Sequence, residues 1–195
     1  MPCPERFQAS LQKFDLSPAL VDEINEGYPS LVSSSPKKQK AAYFKRAVDL
    51  LNGQLAPDRV HEILEDGACC KSGAREKASK EFARINADLP LEQRLEKIRK
   101  APYLNMGYPV LESDGTITLH AVSYLLDGRY ACACSNYRRL KRDYPVAKEY
   151  CFCCGGHFKY HYEIMLGRKV TITKVVSSPL DSNGAQPCVF SISLD

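Results

Sequence analysis

No stretch of this chain stays apolar for the roughly 18–20 residues that a bilayer-spanning helix needs. The opening residues, Met1-Pro2-Cys3-Pro4-Glu5-Arg6, lack the apolar core of a signal peptide. Charge of one sign is not in excess either: 27 Lys and Arg against 23 Asp and Glu leave +4, with no uniformly basic half. Phosphate binding needs a clustered basic face, and the densest basic run, Arg138-Arg139-Leu140-Lys141-Arg142, reads as a solvated helix face or loop. No repeat period links the segments, which argues against a solenoid. A Ser/His/Asp set, an acid–base carboxylate dyad and a phosphate-cradling glycine loop are all missing from the pattern. These absences predict a cytoplasmic protein with no membrane span and no nucleic-acid partner.

What the chain does have is sulfur. Nine cysteines, an odd number, occur in 195 residues. In a reducing cytosol such thiols are free, metal-bound or redox-active rather than a disulfide framework. Five of the nine, and two of the four histidines, fall between Tyr130 and His161. With 44% hydrophobic and 26% charged residues, the remainder is an ordinary globular composition, able to bury a core.

Residues 1–101 read as a helical region. Phe7, Leu11 and Phe14 share a face at helical spacing. Ser17-Pro18 and Ser35-Pro36 are start signals, a cap followed by proline at the first helical position. Leu20, Val21 and Ile24, then Tyr43, Phe44, Ala47, Val48 and Leu51, supply buried stripes, and Gly53 is the expected stop of the second. Pro57 opens a helix closed by Gly67, residues 74–85 are rich in helix formers, and Asp88-Leu89-Pro90 restarts the last helix. Beyond Pro102 the period changes. Two branched runs flank Ser113-Asp114-Gly115, a hairpin signal, with His120 on the solvent parity. Leu125 to Arg129 predicts a second turn, Tyr130 to Cys134 a short strand, Phe152 to Leu166 a helix stopped by Gly167, and Val170–Val176 and Cys188–Leu194 two strands. Residues 102–195 thus form a mixed region carrying the cysteine cluster, and the fold class is α+β.

Within the sulfur-rich stretch, Cys132 and Cys134 on a strand would present both thiols on one face. Cys151, Cys153 and Cys154 fall at a helix start, where free N–H groups and the dipole favour thiolate. Gly155-Gly156 would allow close approach of a ligand to the backbone. The spacing is neither that of a zinc finger or ribbon nor that of a ferredoxin run. Three readings stay open: a soft-metal site, cysteines packed as small core residues, and a redox-active dithiol. Cys69-Cys70, in a loop after a helix end, could join either site. His157 and His161 lie four apart, but Phe158 stands where a His-Glu-x-x-His metalloprotease needs its glutamate, which excludes that class. Among Phe158, Tyr160 and Tyr162 the two histidines could instead line a ligand pocket; the bland alternative is a partly exposed helix face.

One further signal is an order of motifs. Cys151-Phe-Cys-Cys-Gly-Gly-His-Phe-Lys-Tyr-His-Tyr-Glu-Ile-Met-Leu-Gly167, the branched run 169–180, Gly184, and Cys188-Val-Phe-Ser-Ile192 follow one another as in a known group. This part resembles 4-vinyl-reductase-type domains, related to hydrocarbon-binding sensor and vesicle-transport-particle folds. It is most similar to a cysteine-rich bacterial set that adds a helical N-terminal half with a Cys-Cys pair. The resemblance implies an antiparallel sheet and helices enclosing a small-molecule site. Together these readings predict a metal- or small-molecule-binding protein, with Cys69, Cys70, Cys132, Cys134, Cys151, Cys153 and Cys154 as metal ligands and His157 and His161 as cofactor contacts. Zinc or iron would be the metal, an iron–sulfur cluster being left open, and a homo-oligomer is compatible with the pattern. The competing expectation is a thiol-based redox or reductase-like enzyme accessory to tetrapyrrole or aromatic metabolism.

Overall fold

The structure, a computed structural model, describes residues 3–68 and 71–195. Six helices come first: α1 (Pro4–Lys13), α2 (Pro18–Asn25), α3 (Lys37–Gln54), α4 (Pro57–Asp66), α5 (Ala74–Ile85) and α6 (Leu91–Arg99). Their boundaries follow local chemistry. The Ser17 hydroxyl accepts the Leu20 N–H at the start of α2, as an N-cap does. Pro57 occupies the first turn of α4, where its missing N–H costs nothing. Gly53 does not stop α3, which runs one residue further to Gln54.

Six strands follow: β1 (Tyr108–Leu111), β2 (Ile117–Val122), β3 (Leu125–Leu126), β4 (Arg129–Tyr130), β5 (Val170–Ser177) and β6 (Cys188–Leu194), with the long helix α7 (Phe152–Leu166) between β4 and β5. Four of them form an antiparallel sheet in the order β1-β2-β6-β5. The short β3 and β4 pair separately through an Asp127-Gly128 turn in which both residues have positive φ, the type I′ geometry that Asp-Gly favours. The class is α+β, with N-terminal helices and a C-terminal sheet packed against a long helix.

Helix α7 explains how the two halves are joined. An ordinary surface helix has one apolar stripe, but α7 buries residues around its whole circumference, from Phe152 and Cys153 through His157, Phe158, His161 and Tyr162 to Leu166. Phe158 meets Phe190 of the sheet at 5.8 Å between ring centroids. The opposite side is covered by α4 and α5. Gly155 and Gly156 serve this packing rather than a ligand. A Cβ at Gly155 would come within 3.2 Å of Ile172, and one at Gly156 within 2.4 Å of the Glu65 carbonyl oxygen. Glycine here lets the backbones of α4 and α7 touch.

A single core runs from Phe7 to Ile192. Its N-terminal part is aromatic: Phe7, Tyr28, Tyr43 and Phe44 meet edge to face, and Phe44 continues the chain of rings to Tyr150, which in turn meets Tyr137 at 5.1 Å. Such contacts add about 0.5–1.5 kcal/mol each beyond burial. Through them the helical half supports the loop that carries the first cysteine pair.

Candidate functional site

Strand β4 ends at Tyr130, so Cys132 and Cys134 do not lie on a strand as the sequence suggested. The segment has no branched residues to hold it extended, and Ser135-Asn136 favours a turn. Tyr137 and Arg138 both donate their N–H groups to the Cys134 carbonyl, at 3.0 and 2.7 Å. The thiols still converge, because the turn brings the Cys134 N–H to within 3.4 Å of Cys132 Sγ. Cys132 keeps partial exposure and Cys134 is buried.

Beneath this turn is Tyr150, fully buried at the end of a 3-10 turn over Lys148–Cys151. Its hydroxyl stands 3.1 Å from Cys134 Sγ and accepts the Asn136 side-chain amide at 3.2 Å. Either atom can donate in the Tyr150–Cys134 contact; once Cys134 is ionised its sulfur can only accept, and the phenolic proton is then the donor. Cys134 is pulled down to about 6, first by the hydrogen bond from Cys132, then by Tyr150 and the Asn136 N–H, all against the cost of burial. Cys132 is pushed up because its proton is held toward Cys134 and because it is partly enclosed. Three donors converge on Cys134 and one backbone N–H on Cys132, so Cys134 carries the charge of the pair.

The second group behaves differently from the expected helix-start thiolates. The Phe152 N–H already bonds back into the 3-10 turn, so the start of α7 has less unpaired N–H to offer. Cys151 is pushed well up, chiefly by its hydrogen bond to Cys188 and by burial, and its sulfur lies 3.1 Å from Ser178 Oγ. Burial, then a hydrogen bond to Cys154, pushes Cys153 up as well. Desolvation outweighs the helix terminus here. Cys154 keeps partial exposure.

These groups share one neighbourhood. Cys132 senses the charges of Cys154 and Cys151, Cys153 senses Cys134, and Lys71 senses Cys153. Cys3, Cys132, Cys134, Cys151, Cys153, Cys154 and Cys188 are all free thiols. Among the described residues, no three His, Cys, Asp or Glu side chains stand close enough together to hold a metal ion. Cys69 and Cys70, expected as ligands, lie outside the described residues. Their neighbour Ala68 is buried, and Lys71 donates to the Glu65 carbonyl at 3.1 Å beside α7.

His157 and His161 are buried, 7% and 0% exposed, rather than on a half-exposed face. They point toward α5. Arg75 Nη1 lies 3.0 Å from His157 Nε2, and Ser79 Oγ lies 3.0 Å from His161 Nδ1. Arginine can only donate, so the His157 ring accepts at Nε2. His120 is exposed, as its parity indicated.

A cavity of about 720 Å³ opens beside Cys132. Its walls are the β3–β4 hairpin, the loop 137–143 and the turn 179–184, with Tyr130, Tyr137, Leu180, Arg139 and Arg142 among the lining. Gly184 allows hairpin and turn to meet: its carbonyl accepts the Tyr130 N–H at 2.9 Å, and a Cβ there would come within 3.0 Å of Arg129 Cβ. Sequence reasoning missed this cavity together with Tyr150, Asn136 and Ser178. Tyr150, directly before the Cys151 run, was the signal within reach.

The fold and site define an α+β protein in which thiols at a loop and at a helix start meet next to a surface cavity. Comparison with protein-family models, curated proteins and solved structures finds no match. No helix among the described residues is long and apolar enough to cross a membrane.

Proposed function

We propose that the protein binds a small molecule in the cavity beside Cys132, engaging it through the Cys132–Cys134 thiol pair. The carrying observation is that Cys132 both lines the cavity and shares its proton with an acidified Cys134. A pair of this kind offers a sulfur nucleophile or soft ligand at neutral pH from a site that also excludes water on one side. The motif order that resembles 4-vinyl-reductase-type domains supports the same reading. Alkylation of reduced protein by limiting iodoacetamide, followed by peptide mapping, tests it. The Cys132–Cys134 pair, which holds the thiolate and opens to the cavity through Cys132, should label ahead of the buried Cys151, Cys153 and Cys188. Labelling of Cys151 or Cys188 as fast as the pair would overturn the reading.

A second reading is that the sulfurs hold a soft metal, zinc or iron. It is favoured by the Cys153–Cys154 pair lying within electrostatic reach of Cys132 and Cys134. No three of these side chains stand together among the described residues, so a closed shell of four thiols would need the Cys132–Cys134 loop to move toward the helix start as the protons are displaced. Here the test is metal analysis of anaerobically purified protein. Near-stoichiometric zinc or iron, lost in Cys132→Ala/Cys153→Ala, is the expected result; metal that survives the double substitution eliminates the site.

A further inference from the structure

We infer that the cavity beside Cys132 is built for an anion: its ligand is a small molecule carrying a carboxylate or phosphate group, held by arginines with its reactive end toward the thiol pair. The inference deepens the small-molecule reading above and rests on it. Four cations line the cavity, Arg129, Arg139, Lys141 and Arg142, against two carboxylates, Asp127 and Asp143. Ion pairs occur elsewhere in the described structure, and none of them involves these four. The lining therefore keeps a net positive field.

Arg142 sets that field in place. Its guanidinium is partly buried and hydrogen-bonded to uncharged oxygens: Asn183 Oδ1 at 2.7 Å, the Pro179 carbonyl at 2.9 Å, and the Tyr144 carbonyl. Burial lowers its proton affinity, yet among the described residues no carboxylate pairs with it. A charge taken out of water without a counter-ion is costly, and an anionic ligand would supply the missing partner. Arg139, exposed on the same wall, is held with φ +59°, a left-handed conformation that is unfavourable for a residue with a side chain. Arg129 donates to the Asn183 carbonyl at 3.5 Å, which leaves most of its fork available. Tyr130 and Tyr137 add aromatic surface for the body of the ligand.

The basic run that reads as a solvated loop in the sequence is thus folded around the thiol. Three of its four charges, Arg139, Lys141 and Arg142, line the space next to Cys132. That convergence separates a small-anion site from a nucleic-acid surface.

Two alkylating reagents of equal size but different charge measure the field at the sulfur. Iodoacetate carries a carboxylate and iodoacetamide does not; in each case the thiolate forms the S–C bond and iodide leaves. Because both reagents attack the same thiolate, their rate ratio at Cys132 cancels its ionised fraction. Reduced, chelator-treated full-length protein is used, with Cys3 as the internal reference. The expected iodoacetate preference at Cys132 is about 10-fold over Cys3 at low ionic strength, the lower end of electrostatic focusing in clefts. High salt should erase it, and Arg129→Gln/Arg139→Gln, which leaves Lys141 and Arg142, should reduce it. Equal ratios at Cys132 and Cys3, or a preference unchanged in the double variant, would overturn the proposal. A thermal-shift arm with inorganic phosphate and with succinate distinguishes the two sources of anion. It also decides the matter if Cys132 resists both reagents: stabilisation by either, reduced in the arginine variant, supports the site, and stabilisation by neither refutes it. The reagents' order of attack among the cysteines tests the thiol reading separately, so each can fail alone.

Discussion

The Tyr150 hydroxyl lies 3.1 Å from Cys134 Sγ while accepting the Asn136 amide at 3.2 Å. Donated to the thiolate, its proton helps hold the Cys134 thiol down at about 6. Tyr150→Phe removes it without changing the ring packing against Phe44 and Tyr137. The Cys134 titration, followed by thiolate absorbance in the ultraviolet, should then move upward. Stability should fall by about 1–3 kcal/mol, since the Asn136 amide loses a buried acceptor. An unchanged titration would show that Cys132 alone controls the thiolate.

Two cysteines next but one in sequence should separate in their effects. Cys151 is tied into the core by Ser178 and Cys188, whereas Cys153 faces Cys154 and senses Cys134. Cys151→Ala should therefore act chiefly on stability, lowering the melting temperature, whereas Cys153→Ala should chiefly change labelling at Cys154, its hydrogen-bond partner. Equal losses of melting temperature in the two variants would mean that the Ser178 and Cys188 contacts add nothing beyond burial.

Much of this architecture was legible before the structure. Apolar spacing placed α5 and α7 at their observed residues, Ser17-Pro18 marked a real cap, and Asp114-Gly115 marked the β1–β2 turn. The site was legible as a list of cysteines but not as chemistry. Periodicity carries no information on how deeply a helix start is buried or which remote thiol it meets, and the Cys188 contact and burial at Cys151, with burial at Cys153, reversed their expected acidity. Nor does local pattern show that Gly156 faces another backbone, since Glu65 is remote in sequence. The partner of Cys134 was hidden for the same reason: Tyr150 is placed by rings contributed from α3.

Alkaline pH should weaken the fold. A hydrogen bond to Cys188 and then burial raise the Cys151 thiol, and burial raises the Cys153 thiol and the phenols of Tyr150 and Tyr162. A raised acid stays protonated in the folded chain while its unfolded counterpart ionises, near 8.5 for cysteine and 10 for tyrosine. The stabilisation is thus complete below the unfolded value and lost as pH rises above it, at about 1.4 kcal/mol per pH unit for each group. Cys134 has the opposite sign: its depressed value contributes stability above the unfolded range, and this is lost as pH falls through about 6. Denaturant midpoints measured across this range should therefore decline on both sides. A midpoint that holds steady above the cysteine range would mean that the buried thiols ionise in the folded state.

The tightest contact between the two halves gives the sharpest mutational contrast. A methyl group at Gly156 would sit 2.4 Å from the Glu65 carbonyl oxygen and 2.8 Å from Glu65 Cα, backbone atoms that can yield only by moving α4 away from α7. At Gly155 the nearest atom is an Ile172 side-chain carbon at 3.2 Å, which can shift by a few tenths of an ångström. Both substitutions gain about 1 kcal/mol of helix propensity. For Gly155→Ala that gain roughly offsets the crowding, and thermal unfolding followed by circular dichroism should change little. For Gly156→Ala, overpacking of about 1–3 kcal/mol or more exceeds it, and the unfolding temperature should drop clearly. Because α4 leads into Lys71, which lies in the field of Cys153, the Gly156 variant should also alter labelling at Cys153 and Cys154 while sparing Cys132. Equal melting temperatures for the two variants would mean that α4 and α7 are not in backbone contact at this point.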